Sequence, residues 1–153
     1  MWKLLNLPKG VQLFVMRLFQ NRFLVGVTGI IFNEKNEVLL FKHTYRQHSW
    51  SLPGGYLKDG EHPTEALERE ILEESHLVVS VDKSLKTRTD RDSARLDMCY
   101  TGTFIGGEFT PNQEVSAYGF FSQDKMPLLR SNQVFLIEQA LQQKRLKDKP
   151  KPA

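Results

Sequence analysis

The sequence predicts an α/β fold, a sandwich in which a mixed β-sheet lies between helices. Three patterns predict it: short β-rich runs between residues 23 and 52, an acidic stretch of helical period after them, and further β-rich runs leading into a last amphipathic helix. The 153 residues, of which 40% are hydrophobic and 25% charged, suffice for one core and are too few for two ordinary domains. The chain is therefore expected to divide into an amphipathic helix within residues 1–22 that packs on the body or on a partner, a domain at 23–146, and a flexible tail at 147–153.

Residues 9–20 carry Val11, Phe14, Val15, Leu18 and Phe19 at the i, i+3, i+4, i+7, i+8 spacing of an amphipathic helix, and Leu13 and Met16 make its other side apolar as well. Such a helix docks on the body, covers a second subunit in a homodimer, or lies on a membrane surface beside its basic residues. From Phe23 the period shortens. Residues 23–32, 38–42 and 49–52 read as strands, with a hairpin turn at 33–36. After the acidic helix, strands are expected near 77–81, 96–104 and 115–121, with a charged loop at 82–95 and a second loop marked by Gly106, Gly107, Pro111 and Asn112. Ser131 reads as the N-cap of a final helix carrying Val134, Leu136, Ile137, Ala140 and Leu141.

Composition narrows the setting. A lone cysteine, Cys99, cannot form an internal disulfide, and no secretory leader pattern opens the chain. No apolar run approaches the roughly 18 residues of a membrane span, so a soluble, reducing, cytoplasmic setting is expected. The formal net charge of +3 hides an asymmetry: residues 55–77 contain seven acids against Lys58 and Arg69, a balance of −5, which leaves +8 on the remainder. An acidic pocket in a basic body suits a polyanion that arrives with a divalent cation.

Pro63 fits the first position of the acidic helix, with His62 as its cap and Glu65 in the first turn. At about 100° per residue, Glu70, Glu73 and Glu74 fall on one face, which the flanking Leu67 and Ile71 turn toward the protein body. Three like charges so placed repel. They take up protons, recruit a hard divalent cation such as Mg²⁺ or Mn²⁺, or simply form a solvated acidic face, and period alone leaves those readings open. Just ahead, Leu52-Pro53-Gly54-Gly55 ends a strand with two glycines, so that backbone atoms can approach a bound ion or phosphate.

Gly55, five residues, Glu61, seven residues, Arg69-Glu70-Ile71, one residue and Glu73-Glu74 together resemble the Nudix box, G-x5-E-x7-REU-x-EE-x-G-U with U apolar. The one departure is His76 at the position where the family carries glycine as a left-handed helix stop. The box covers 23 residues, and the order of elements fits the family's α/β/α sandwich across about residues 23–141.

The resemblance implies a metal-dependent hydrolase that cleaves the diphosphate linkage of a nucleoside diphosphate joined to another moiety, by attack of water on phosphorus. It implies Glu70, Glu73 and Glu74 as ligands of Mg²⁺ or Mn²⁺, helped by the Gly54 carbonyl, with Glu61 and Arg69 as a structural ion pair beside Gly55. Catalytic roles fall to Glu70, Glu74 and the downstream Glu114, either Glu70 or Glu114 serving as base. Lys42, Arg46 and Trp50 are candidates for substrate contact. The charged loop at 82–95, with Lys83, Lys86, Arg88, Arg91 and Arg95, reads either a distal phosphate or nothing but solvent. His43 and His48 lack partners at zinc-ligand spacing. Within the family, some ADP-ribose hydrolases carry a proline about 16 residues past the box, where this chain has Ser93 and no proline. Other readings are an ADP-ribose or sugar-nucleotide pyrophosphatase, a non-catalytic nucleotide sensor and action on an RNA 5′ end; no DNA-binding segment is recognisable.

Overall fold

The structure, a computed structural model, describes residues 8–19, 22–44, 49–90 and 94–148. In chain order these form α1 (Lys9–Phe19), β1 (Leu24–Phe32), β2 (Val38–His43), β3 (Trp50–Ser51), β4 (Gly54–Tyr56), α2 (Pro63–Ser75), β5 (Leu77–Asp90), β6 (Arg95–Gly107), β7 (Val115–Phe121), a short 3₁₀ turn at Gln123–Lys125, and α3 (Ser131–Lys147).

The strands make one seven-stranded sheet in the order β3-β2-β1-β6-β5, with β4 paired to β1 and β7 to β2. β1 and β6 run parallel from Leu24↔Arg95 to Phe32↔Thr103, while β1 pairs antiparallel with both β2 and β4. The sheet is therefore mixed. Alternation along β1 sends successive residues to opposite faces. Val27 and Ile31 join Ala66, Leu67 and Ile71 of α2, and Ile30 and Phe32 join Leu136, Ile137 and Ala140 of α3. Leu39 and Phe41 of β2 face the first cluster, and Val38 and Leu40 the second. A helix covers each face, and each fully buried leucine or isoleucine contributes about 1.5–3 kcal/mol.

The β1–β2 hairpin is closed by Asn33, whose Oδ1 accepts from Lys35 N at 3.0 Å and Glu37 N at 2.9 Å, with Asn36 at a φ of 59°. Two sequence readings are corrected. Gly54 and Gly55, read as the end of the preceding strand, belong with Tyr56 to a strand of their own, β4, in register with β1 as Gly26↔Tyr56, Val27↔Gly55 and Thr28↔Gly54. Glycine carries no strand propensity, so only its partner reveals it. The expected charged loop at 82–95 is mostly strand: β5 continues to Asp90 and pairs with β6 as far as Asp90↔Arg95. Register shifts at Val78/Val79, Val81/Lys83 and Ser84/Lys86 break the alternation that would have marked it. Its charged residues suit an edge strand, which must not template further pairing.

Ser131, read as the cap of the last helix, is instead the first residue of α3, and Arg130 holds the cap position with no side-chain cap bond. The helix runs through Lys147, and residues 149–153 lie outside the described residues. α1 buries none of its residues. No helix of the described residues is long and apolar enough to cross a membrane.

Candidate active site

α2 starts where Pro63 presets the backbone and His62 stays extended, its N–H donating to Glu65 Oε2 at 3.1 Å. Ala66, Leu67, Ile71 and Ser75 are buried, and at 100° per residue their arc contains Glu70 and Glu74 but has Glu73 at its edge. The acidic stripe is thus turned inward only in part: the Glu70 side chain is 17% exposed and that of Glu73 53%.

Glu70 reaches the β4 backbone because Gly55 has no side chain. A Cβ on Gly55 would overlap the Glu70 carboxyl, and one on Gly54 would strike the Val27 carbonyl. Only glycine at both positions lets β4 lie between β1 and α2. The cradle gathers an acid oxygen against a backbone that could itself offer a carbonyl, an all-oxygen donor set of the kind hard cations take.

Arg69 ties this region together. Its Nε donates to Glu61 Oε1 at 2.5 Å, its Nη2 to Glu61 Oε2 and to the Tyr56 carbonyl, both at 3.1 Å, and its Nη1 to Glu70 Oε1 and Glu73 Oε2, each at 3.0 Å. The Arg69 hydrogen bonds, seconded by the Lys58 amide, hold the Glu61 carboxyl down to about 2, and Glu61 above all keeps the guanidinium charged. Arg69 therefore touches two of the three expected metal ligands besides its structural partner. Among the described residues no three His, Cys, Asp or Glu side chains are gathered closely enough to hold a metal unaided.

His76 ends α2 with φ 61° and ψ 11°, its N–H donating to the Leu72 carbonyl at 2.9 Å. A histidine thus occupies the left-handed position for which glycine is suited. Beyond it, Asn112 fastens the loop that carries Glu114. Its Nδ2 donates to the Glu74 carbonyl at 2.8 Å, and its Oδ1 accepts from the amides of Glu114 and Val115 at 2.9 and 2.8 Å. Glu114 itself is exposed. The sequence reading missed Asn112 as a positioning residue, although an Asn two residues before an acid at a strand start is an Asx-turn signal.

Gly54, Gly55 and Tyr56 also line a cleft of about 440 Å³, shared with Thr28, Arg88, Arg95, Asp97, Arg130 and Gln133. Its anchor is the buried Asp97, which accepts from Thr28 Oγ1 at 3.1 Å, from Arg88 Nε and Nη2 at 3.2 and 2.8 Å, and from Arg95 Nη2 at 3.2 Å. The Arg95 guanidinium lies over Gly26, where a Cβ would come within 2.7 Å of it, and 5.2 Å from the Tyr56 ring centroid. The cap residue Arg130 and the first turn of α3, with Asn132 and Gln133, open on the same space. With three arginines and one acid the lining is net positive.

Asp97 carried a signal that the sequence reading did not use: in a strand whose Cys99 is buried, Asp97 shares the inward face, and an inward acid needs partners. Burial first, and Asp97 second, push the Cys99 thiol up to about 11. Of the expected substrate contacts, Trp50 packs edge-on against Phe121, with ring centroids 5.0 Å apart, in the α3-side cluster. Lys42 is exposed on β2. Neither residue lines the cleft. Arg46, His48, Arg91 and Ser93 lie outside the described residues.

The family model for the NUDIX domain matches residues 22–144. An ADP-ribose pyrophosphatase of Methanocaldococcus jannaschii is 32% identical over 111 residues, 69% of this chain and 65% of that protein. The 8-oxo-dGDP phosphatase NUDT18 of Mus musculus is 38% identical over 73 residues, 46% of this chain and 22% of that protein. Among solved structures, an ADP-ribose pyrophosphatase from Streptococcus suis superposes with a TM-score of 0.67 at 27% identity, over 78% of this chain and 92% of its own. The chain spans from 22% to 65% of the length of these curated relatives.

Proposed function

The chain belongs to the Nudix family, and on that premise we propose that it is a divalent-metal-dependent pyrophosphohydrolase acting on a nucleoside diphosphate linked to another moiety. The observation that carries the reading is the double role of β4. Gly55 lies against the Glu70 carboxyl of the acid-rich helix, and the same residue, with Tyr56, lines the arginine-rich cleft. A diphosphate with a cation on one side and a polar or anionic group on the other matches that pairing of charges.

Glu70, Glu73 and Glu74, with the Gly54 carbonyl, would hold Mg²⁺ or Mn²⁺, the substrate's own oxygens completing the set. When bound, the ion withdraws charge from the phosphoryl oxygens and lowers the pKa of water. Glu61 and Arg69 brace the β4–α2 connection so that Glu70 stays against Gly55. Glu114 is the better candidate for the base: Glu70 is already engaged by Arg69, whereas Glu114 sits exposed on a loop that Asn112 pins to the end of α2. Arg88, Arg95 and Arg130 favour a sugar phosphate or phosphate chain in the cleft over an apolar group. The uncapped amino end of α3 adds to that preference. The ADP-ribose pyrophosphatases among the relatives support the sugar-nucleotide subclass. The free Cys99 suits a reducing, cytoplasmic setting.

The test is release of phosphate and nucleotide from a panel of nucleoside triphosphates, sugar nucleotides and dinucleotides with Mg²⁺ or Mn²⁺. Glu74→Gln and Glu114→Gln should each lower kcat by about 10²–10³-fold, and only Glu74→Gln should also raise the metal concentration required. Absence of turnover on every panel member overturns the proposal.

A further inference from the structure

α1 is apolar and cationic, and among the described residues none of its side chains is buried. On a helical wheel Val11, Phe14, Val15, Leu18 and Phe19 fall within about 140° of one another, while Lys9 and Arg17 lie across from them on either side of Leu13. The folded chain leaves this surface in water: Phe14 is 63% exposed, Leu18 60% and Phe19 75%. The sequence contains no Asp or Glu before Glu34, whereas Lys3, Lys9, Arg17 and Arg22 all precede it, and Trp2 continues the apolar character.

We propose that α1 docks this protein on a lipid bilayer surface bearing anionic headgroups, lying in the plane of the interface. At about 1.5 Å per residue its 11 residues measure about 16 Å, roughly half a hydrocarbon core, so the helix lies along a bilayer and does not cross it. The apolar arc sinks among the acyl chains, and Lys9 and Arg17 stay at headgroup level, which is the orientation their positions on the wheel allow. A second copy of the chain is the weaker occupant. Two such helices packed through their apolar arcs would leave Lys9 and Arg17 of each on the outer side, where a second copy contributes nothing to them, and α1 offers no acid of its own to pair with them. Anionic headgroups supply that missing charge. The arrangement would hold a hydrolase at a membrane without using any residue of the β4–α2 region or of the cleft, and it is independent of which diphosphate is cleaved.

The test is flotation of the full chain with vesicles of phosphatidylcholine alone and of phosphatidylcholine mixed with phosphatidylglycerol. At least about tenfold more protein should float with the anionic vesicles, and raised salt should remove most of the difference. Phe14→Glu combined with Leu18→Glu should abolish flotation while leaving thermal unfolding and hydrolysis of the best panel substrate unchanged. Lys9→Glu combined with Arg17→Glu, which keeps the apolar arc, should erase the preference for anionic lipid. No flotation with either vesicle, or equal flotation with both, overturns the proposal. So does a dimer in gel filtration that Phe14→Glu with Leu18→Glu splits while the unaltered chain fails to float.

Discussion

Two ion clusters flank β4, and their stoichiometries are inverted. Around Arg69 one guanidinium serves three carboxylates, Glu61, Glu70 and Glu73, and the outermost of these is 53% exposed. Around Asp97 one carboxylate serves two guanidiniums, Arg88 and Arg95, and that carboxylate is only 6% exposed. The first cluster has acid to spare and can take a cation. The second has base to spare and can take an anion. In each the minority ion sits at the centre and holds the majority ions in place, so removing it should cost structure, and removing a majority ion should cost function.

The largest effect is expected at the buried centre. Asp97→Ala leaves Arg88 and Arg95 without their anchor and Thr28 Oγ1 without its acceptor, and should lower the unfolding free energy by about 3–4 kcal/mol, read as a shifted denaturant midpoint at unchanged slope. A loss within experimental error would mean that the arginines are held by something else. Arg95→Met tests the majority side. The Arg95 side chain is 31% exposed, so stability should change little, while KM for a substrate with a distal phosphate should rise about tenfold at constant kcat. Equal losses for substrates with and without that phosphate would remove the cleft from recognition.

The two clusters also differed in how far the sequence disclosed them. The Arg69 cluster is local: Glu61, Arg69, Glu70 and Glu73 lie within thirteen consecutive residues, and helical period alone puts Glu73 within reach of both Arg69 and Glu70. The Asp97 cluster exists only through strand pairing. Arg88 stands opposite Asp97 across β5–β6, and Gly26 stands opposite it across β1–β6, relations that no spacing along the chain encodes. β5 was cut short in the sequence reading for the same reason, since its bulges are defined against β6. β4 was missed because two glycines signal a turn until Gly26, Val27 and Thr28 are found beside them. The α2 exit was legible down to its one irregular residue, His76.

That residue gives a smaller effect of opposite sign. His76 holds φ at 61°, a conformation costing an ordinary residue about 1 kcal/mol that glycine avoids, although glycine returns part of the gain through the freer unfolded chain. His76→Gly should therefore raise stability by about 0.5–1 kcal/mol, with hydrolysis unchanged because the imidazole takes part in neither cluster. Destabilisation would show that the side chain makes a contact worth more than the strain.

The smallest effect separates the centre of the first cluster from its periphery by pH. The Arg69 hydrogen bonds hold Glu61 down to about 2, against 4.5 for the unconstrained group. A carboxyl with a folded-state pKa below its unfolded-state value stabilises the fold fully above the unfolded value, and that contribution disappears as pH falls through the folded one. The stability difference between the unaltered chain and Glu61→Gln should then be constant from neutral pH down to about 4.5 and shrink toward zero near pH 2. The pair is near solvent, so salt should reduce the plateau without moving the window. A difference that stays flat through the acid range would mean that Glu61 acts through the shape of its hydrogen bonds to Arg69 and the Lys58 amide, which glutamine also satisfies in part, and that its charge is incidental to bracing β4 against α2.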